Sequence, residues 1–275
     1  MTSEAFVLHG TQNNKVKVSV LDITDAILNK RDVDVEYAII IGDFDVRRKV
    51  SFRRERGTDI VITRNIRIEF CEIFGNLYFE NIRFNGNLSF KSTVFNGAVN
   101  FKLSSFKGET SYESTTFNGQ ANFRSSDFRC DVTFAKSRFT QGTHFDLCKF
   151  KGTSNFNSAL FGTGIANSSV INGAYFNSAN FYKNVSFRSV SFSGNAFYCS
   201  TVFQDEADFN LATFRGIVSF KAATFDRNFY FVNVNIDESL STSDGKIDMS
   251  FTTFKKYAIF NDISLGLCMI RSSVA

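Results

Sequence analysis

Over residues 90–161 a large residue recurs at spacings of five, six, five, six, without a slip: Phe90, Phe95, Phe101, Phe106, Tyr112, Phe117, Phe123, Phe128, Phe134, Phe139, Phe145, Phe150, Phe156 and Phe161. Such spacing would scatter rings around an α-helix, whose turn takes about 3.6 residues. It would also throw them alternately onto both faces of one long strand, because side chains there change face at every step. The pattern works if the chain turns a corner after each short extended segment. Four segments then close a square coil, and all four large residues point at its axis. Two five-plus-six pairs make a 22-residue coil, and coils stack about 4.8 Å apart through parallel backbone hydrogen bonds.

The rhythm extends backwards through Ile62, Ile68, Ile73, Phe79 and Phe84, and forwards to Leu265. Two residues before each ladder member stands a small or β-branched residue, as at Thr93, Val99, Ser104, Thr110, Thr115 and Ala121. Glycine forms a third column two residues after alternate members: Gly86, Gly97, Gly108, Gly119, Gly152, Gly194 and Gly216. These glycines open only the six-residue spacers, where the extra residue predicts a tighter or left-handed turn, the latter with positive φ. Two breaks interrupt the count. From Phe161 to Ile165 the step is four where six is due, which reads as a two-residue deletion near Gly162 and Gly164, with Val170 and Phe176 resuming the rhythm. After Ile236 seven extra residues are expected as a loop at 237–246, before Met249, Phe254 and Phe260.

The runs Ser89-Phe90-Lys91-Ser92-Thr93-Val94-Phe95-Asn96-Gly97 and Ala121-Asn122-Phe123-Arg124-Ser125-Ser126-Asp127-Phe128 resemble the Phe-centred variety of pentapeptide-repeat proteins. The resemblance covers residues 60–265, and residues 38–46 resemble the lead-in common in such proteins. It implies an all-β fold, a right-handed quadrilateral parallel β-helix of about eight to nine coils; eight would span roughly 40 Å. The handedness comes from the resemblance alone. A leucine-rich repeat of similar period would need its own leucine and asparagine pattern. A disordered Phe-Gly segment would not keep fixed spacing together with the small column.

Residues 1–59 are expected to form a cap and lead-in rather than an independent domain. Residues 1–15 read as loose, Val16, Val18 and Val20 as a strand, and Asp22 as the N-cap of a helix through Ile23, Ala26, Ile27 and Leu28 to about Lys30. Strand-like runs follow at 35–41 and 44–52. Residues 266–275 form a tail. With Leu265, its Leu267, Met269 and Ile270 either fold over the last coil or meet a second copy, so a monomer and a C-terminal homodimer both stay open. Uncovered strand edges would otherwise invite aggregation.

The net charge of +4 is modest and does not by itself imply nucleic acid. Cys71, Cys130, Cys148, Cys199 and Cys268 form no C-x-x-C pair, which predicts free thiols in a reducing compartment. No apolar run approaches the roughly 20 residues of a membrane span. The first ten residues lack the basic and apolar regions of a signal peptide, so a cytoplasmic location is expected.

No nucleophile motif, metal-ligand cluster or phosphate loop is present in the sequence, and no catalytic, metal-binding or cofactor-binding residue is assigned. His144 adjoins an inward position and is expected to point outward; Asp205, Glu206 and Asp208 read as a solvated turn. Residues one after the ladder should stack in outward columns. Lys107, Arg129 and Lys151, with Arg215 further along, fall in one such column, and Lys102 and Arg124 lie round the corner. Stacked like charges repel, so neutral residues would avoid this cost. A basic lead-in adds Arg47, Arg48, Lys49, Arg53, Arg54, Arg56, Arg64 and Arg67, but exposed aromatic interleaving is missing.

These features point to a non-enzymatic scaffold that displays stiff faces to a protein partner. The resemblance implies an alternative, because some relatives mimic duplex DNA and bind DNA gyrase; a positive chain without a C-terminal cap helix argues against it. Direct binding of nucleic acid or anionic surfaces by the basic columns is a third reading.

Overall fold

The computed structural model describes residues 4–46, 60–163, 172–236 and 247–265. Its strands form four parallel sheets of eleven, nine, eleven and nine strands, and from Val33 onward successive strands of the chain visit the four sheets in turn. They close a square solenoid whose sides are called here faces I, II, III and IV in chain order. Phe90 lies on face I, Phe95 on II, Phe101 on III and Phe106 on IV. The fold is thus a four-sided parallel β-helix, as the ladder predicts. Most strands are two residues long, one side chain inward and one outward.

Neighbouring coils pair in register, Phe106 with Phe128 and Phe128 with Phe150. Rings of one column therefore lie nearly flat on each other: Phe106 and Phe128 are 4.6 Å apart at 6°, Phe128 and Phe150 5.1 Å at 3°. Rings of adjacent columns meet edge to face, as Phe123 and Phe134 do at 5.3 Å and 79°. Each buried ring contributes about 2 kcal/mol by leaving water, and favourable ring pairs add roughly 0.5–1.5. The small column is buried as expected. Its hydroxyls have a task besides filling space, since they donate to ladder carbonyls at the corners. Thr115 reaches the Phe90 oxygen at 2.7 Å, Ser126 that of Phe101 at 2.8 Å and Thr201 that of Phe176 at 2.7 Å.

The reason for the glycines differs from the sequence expectation. None of those seven glycines has positive φ, although Gly75 and Gly162 do, at 133° and 73°; in the five-residue spacers it falls on residues that are not glycine, such as Ser92 at 52°, Leu103 at 62° and Ser125 at 59°. The six-residue spacers need glycine because coils touch there. A Cβ on Gly97 would lie 2.2 Å from the carbonyl oxygen of Gly75, and one on Gly119 would lie 2.5 Å from the carbonyl carbon of Gly97.

The first register break also differs. Thr143 pairs with Ala174, and Phe145 stacks on Phe176, 31 residues on instead of 22. The chain therefore gains nine residues at the corner from face II to face III; it does not lose two. Ile165 and Val170, taken as ladder members, lie outside the described residues. The second break adds seven residues at the same kind of corner, for Val218 pairs with Ile247, 29 residues on. Residues 237–246 themselves lie outside the description.

At the N-terminus the coil begins earlier than expected. Phe6–His9, within the stretch read as loose, pairs in parallel with Val33–Glu36, so it is the first strand of face I. Val16–Ser19 opens face II. Helix α1 (Val20–Leu28) starts two residues before Asp22, capped by Ser19, whose Oγ accepts from the Leu21 amide at 3.2 Å. It buries Val20, Ile23, Ala26 and Ile27 and packs against Phe44–Asp45, the first strand of face III. The run at 35–41 bends at Tyr37, where φ is 48°, and divides between faces I and II. The expected boundary at residue 59 and the end of the run at 44–52 lie outside the described residues. At the other end Phe251 and Tyr257 are 66 % and 74 % exposed, and the tail 266–275 lies outside the description.

Two stability predictions follow from the core. The hydroxyls of Tyr112 and Tyr198 are buried among rings with no hydrogen-bond partner. Tyr112→Phe and Tyr198→Phe should each raise unfolding free energy by about 1 kcal/mol in urea titrations. Gly97→Ala should lower it by about 1–3 kcal/mol, because the added carbon meets backbone that cannot step aside.

Candidate functional site

Reactive groups do not converge among the described residues. His144 faces outward on face III as expected, but it is half-buried: its Nδ1 lies 3.2 Å from Asp146 Oδ2 and its ring stacks on Tyr175 at 4.7 Å. Tyr175 stacks in turn on Phe197 at 5.4 Å, so His144 ends a short outer ladder. His9 sits 3.3 Å from Asp34, beside an ion-pair cluster in which Arg67 holds Asp34, Glu36 and Glu69. No group of His, Cys, Asp and Glu among the described residues could hold a metal ion. In the acidic triplet, Glu206 accepts from Asn228 and Tyr230 at 3.1 and 3.2 Å, and Asp208 faces Arg188 at 3.9 Å.

Charge is organised more clearly than reactivity. The amides of Lys107, Arg129 and Lys151 donate to the carbonyls of Phe84, Phe106 and Phe128, each at 2.8 Å, so the three stack one coil apart at the edge between faces IV and I. Their mutual repulsion is offset by Asp127, whose carboxylate lies 2.9 Å from Arg129 Nε and 3.1 Å from Lys151 Nζ. Lys102 and Arg124 stack at the edge between faces III and IV; Lys102 is 3.8 Å from Glu80.

Arg215 does not join them. It follows Phe214 on face II, and its Nη1 donates to Ser191 Oγ at 3.1 Å. The residue stacked beyond Lys151 is Tyr182, whose amide donates to the Phe150 carbonyl at 2.9 Å. The misread register break accounts for the difference, because it shortened the count between Lys151 and Arg215. Of the basic lead-in, only Arg64 and Arg67 lie in described residues, and both face carboxylates.

The sequence reading also missed two cations. Arg83 and Lys149 stand immediately before ladder rings on face IV and are exposed. Strand alternation turns that position outward as surely as the position after the ring, so the signal was available. Arg83, Lys102, Lys107, Arg124, Arg129, Lys149 and Lys151 thus gather on and beside face IV, with Asp127 at the centre. Lys107, Arg124 and Lys149 have no ion pair among the described residues. Face I, round the corner, carries Glu69, Glu109, Glu113 and Asp131 along a shallow groove of about 690 Å³, against two cations, Arg67 and Lys91, which lie 2.9 Å from Glu69 and 3.4 Å from Glu113. The switch is abrupt: Lys107 is followed two residues later by Glu109, and Arg129 by Asp131.

A four-sided parallel β-helix with in-register ring columns defines a class of repeat solenoid. A family model described as pentapeptide repeats matches residues 101–148 and 200–246, with nine copies. The chain carries pentapeptide repeats, and the coils before, between and after the matched segments keep the same four-faced geometry. No curated protein and no solved structure matches the chain. No helix among the described residues is long and apolar enough to cross a membrane.

The described thiols differ in access. Burial pushes the Cys71 thiol up to about 11 and raises that of Cys148 further, whereas Cys130 and Cys199 are part-exposed. Since the thiolate is the reacting form, iodoacetamide at neutral pH should alkylate Cys130 and Cys199 in the native protein. Peptide mapping should find Cys71 and Cys148 modified only after denaturation.

Proposed function

We propose that the chain is a non-enzymatic interaction solenoid that presents its flat faces to a protein partner. The observation that carries this reading is the uneven distribution of charge, with seven basic side chains against Glu80, Asp127 and Asp146 on and beside face IV, and carboxylates outnumbering Arg67 and Lys91 along the groove of face I. A rigid rod of stacked coils holds such a pattern in fixed register, which suits recognition of a shaped surface. The described cysteines are free thiols, which supports a reducing compartment and, with it, a cytoplasmic location.

The basic side chains on and beside face IV also support a second reading, direct binding of nucleic acid or an anionic surface. Such binding would weaken steeply with salt. Mimicry of DNA calls for an acidic rod, and face IV has the opposite sign; supercoiling by purified gyrase is expected to be unaffected by the protein.

The test is site-specific photo-cross-linking in the native cell, with a photoreactive residue placed singly at the outward positions Asn100, Ser105, Ser111 and Thr116, one on each face. A discrete protein adduct from at least one face is expected. Only background labelling from all four would end the proposal.

A further inference from the structure

The edge between faces III and IV carries an apolar feature that the basic residues alone do not explain. Its turn position has positive φ in eight successive described coils, and the column reads Asn81, Leu103, Ser125, Leu147, Ser178, Ser200, Ala222, Phe251. Asparagine and serine suit this place, since a short polar side chain can hydrogen-bond locally in the left-handed region. Leucine has no such compensation. Yet Leu103 and Leu147 adopt φ of 62° and 59° and are 50 % and 47 % exposed. Two unfavourable choices coincide at each, a branched chain in the left-handed region and an apolar side chain in water.

Placement adds to the argument. The leucines stand two coils apart on one line, so about 10 Å separates them along the rod. That matches two turns of an α-helix, about 10.5 Å from residue i to residue i+7. Arg124 stands in the coil between them, and Lys149 lies two residues beyond Leu147 on face IV; both are exposed and without an ion pair among the described residues. Two carboxylates share this edge, but each is already engaged: Asp146 accepts from Asn177 Nδ2 at 3.1 Å and lies 3.2 Å from His144 Nδ1, and Glu80 lies 3.8 Å from Lys102. Two apolar knobs beside two unpaired cations suit a partner that is apolar along one stripe and acidic beside it. A phosphate backbone would use the charges and leave the leucines unsatisfied. Carboxylates on face I, round the far edge of face IV, would also repel a long polyanion that spread past that face.

We propose that this edge is a docking site for an acidic amphipathic helix of a protein partner, lying along the rod with apolar residues seven apart over Leu103 and Leu147. The proposal rests on the interaction-module reading and names its site and ligand chemistry. A synthetic glutamate-rich helical peptide of about 20 residues, roughly 30 Å long, with leucines seven apart, is the probe, and fluorescence anisotropy against the full chain is the readout. The same peptide with its leucines replaced by serine is the control.

The Leu103→Ser/Leu147→Ser variant installs the residue already present at Ser125 and Ser178, so the fold should persist, as circular dichroism would verify. It is expected to weaken binding by about tenfold or more, as loss of two apolar contacts implies. Arg124→Glu/Lys149→Glu should weaken it similarly, and raising salt from about 0.05 to 0.3 M should weaken the wild type. No binding, equal binding of the control peptide, or a serine variant with unchanged affinity would overturn the proposal. So would displacement of the peptide by duplex DNA at lower concentration than by unlabelled peptide, which would identify a nucleic-acid surface. Cross-links from Ser111 or Thr116 without any from Asn100 or Ser105 would leave the interaction module standing and remove this site.

Discussion

Everything in the molecule depends on four columns of rings stacked in register along one axis. Flat stacking within a column requires successive coils to return to the same place, as Phe106, Phe128 and Phe150 do. Edge-to-face contact between columns fixes how far apart the four sides stand. A coil can therefore change length only where the chain is outside this arrangement, at a corner. Both later insertions obey that rule: each leaves face II and rejoins face III with the strand register kept, Phe145 under Phe176 at the first and Phe220 under Met249 at the second.

The same constraint shapes the outside. Once one side chain of each short strand and the small residue before it are committed inward, the remaining positions carry little structural duty. The exceptions are the corners. There the backbone asks for a left-handed residue in five-residue spacers and for the absence of a Cβ in six-residue spacers, where coils nearly touch. At the edge between faces III and IV the protein meets the first demand with serine or asparagine in four coils, at Asn81, Ser125, Ser178 and Ser200, and Leu103 and Leu147 alternate with them without that local compensation. Charge on the other free positions is unevenly spread, and only part of it is neutralised locally, as by Asp127 between Arg129 and Lys151.

Legibility in the sequence followed the strength of these constraints. The ladder and the small column could be read directly, because each is enforced at dozens of positions by one packing rule. The glycines were visible as a pattern but misassigned in cause, since contact between coils leaves the same trace as a strained turn. Ile165 and Val170 misled because apolar residues at nearly the right spacing imitate the ladder, and that error carried Arg215 into a column it does not join. Phe6–His9 went unrecognised because its partner strand, Val33–Glu36, lies 27 residues on, outside the repeat spacing.

By itself, then, the sequence determined the four-sided coil, its inward residues and the outward direction of the basic columns. Those follow from local alternation and a fixed repeat length, which any stretch of the chain displays. Only the tertiary structure decided which coils stack across the insertions, where the first coil begins and which charges share a face. Those depend on pairing between distant segments, and an insertion changes that pairing without leaving a mark in the residues on either side.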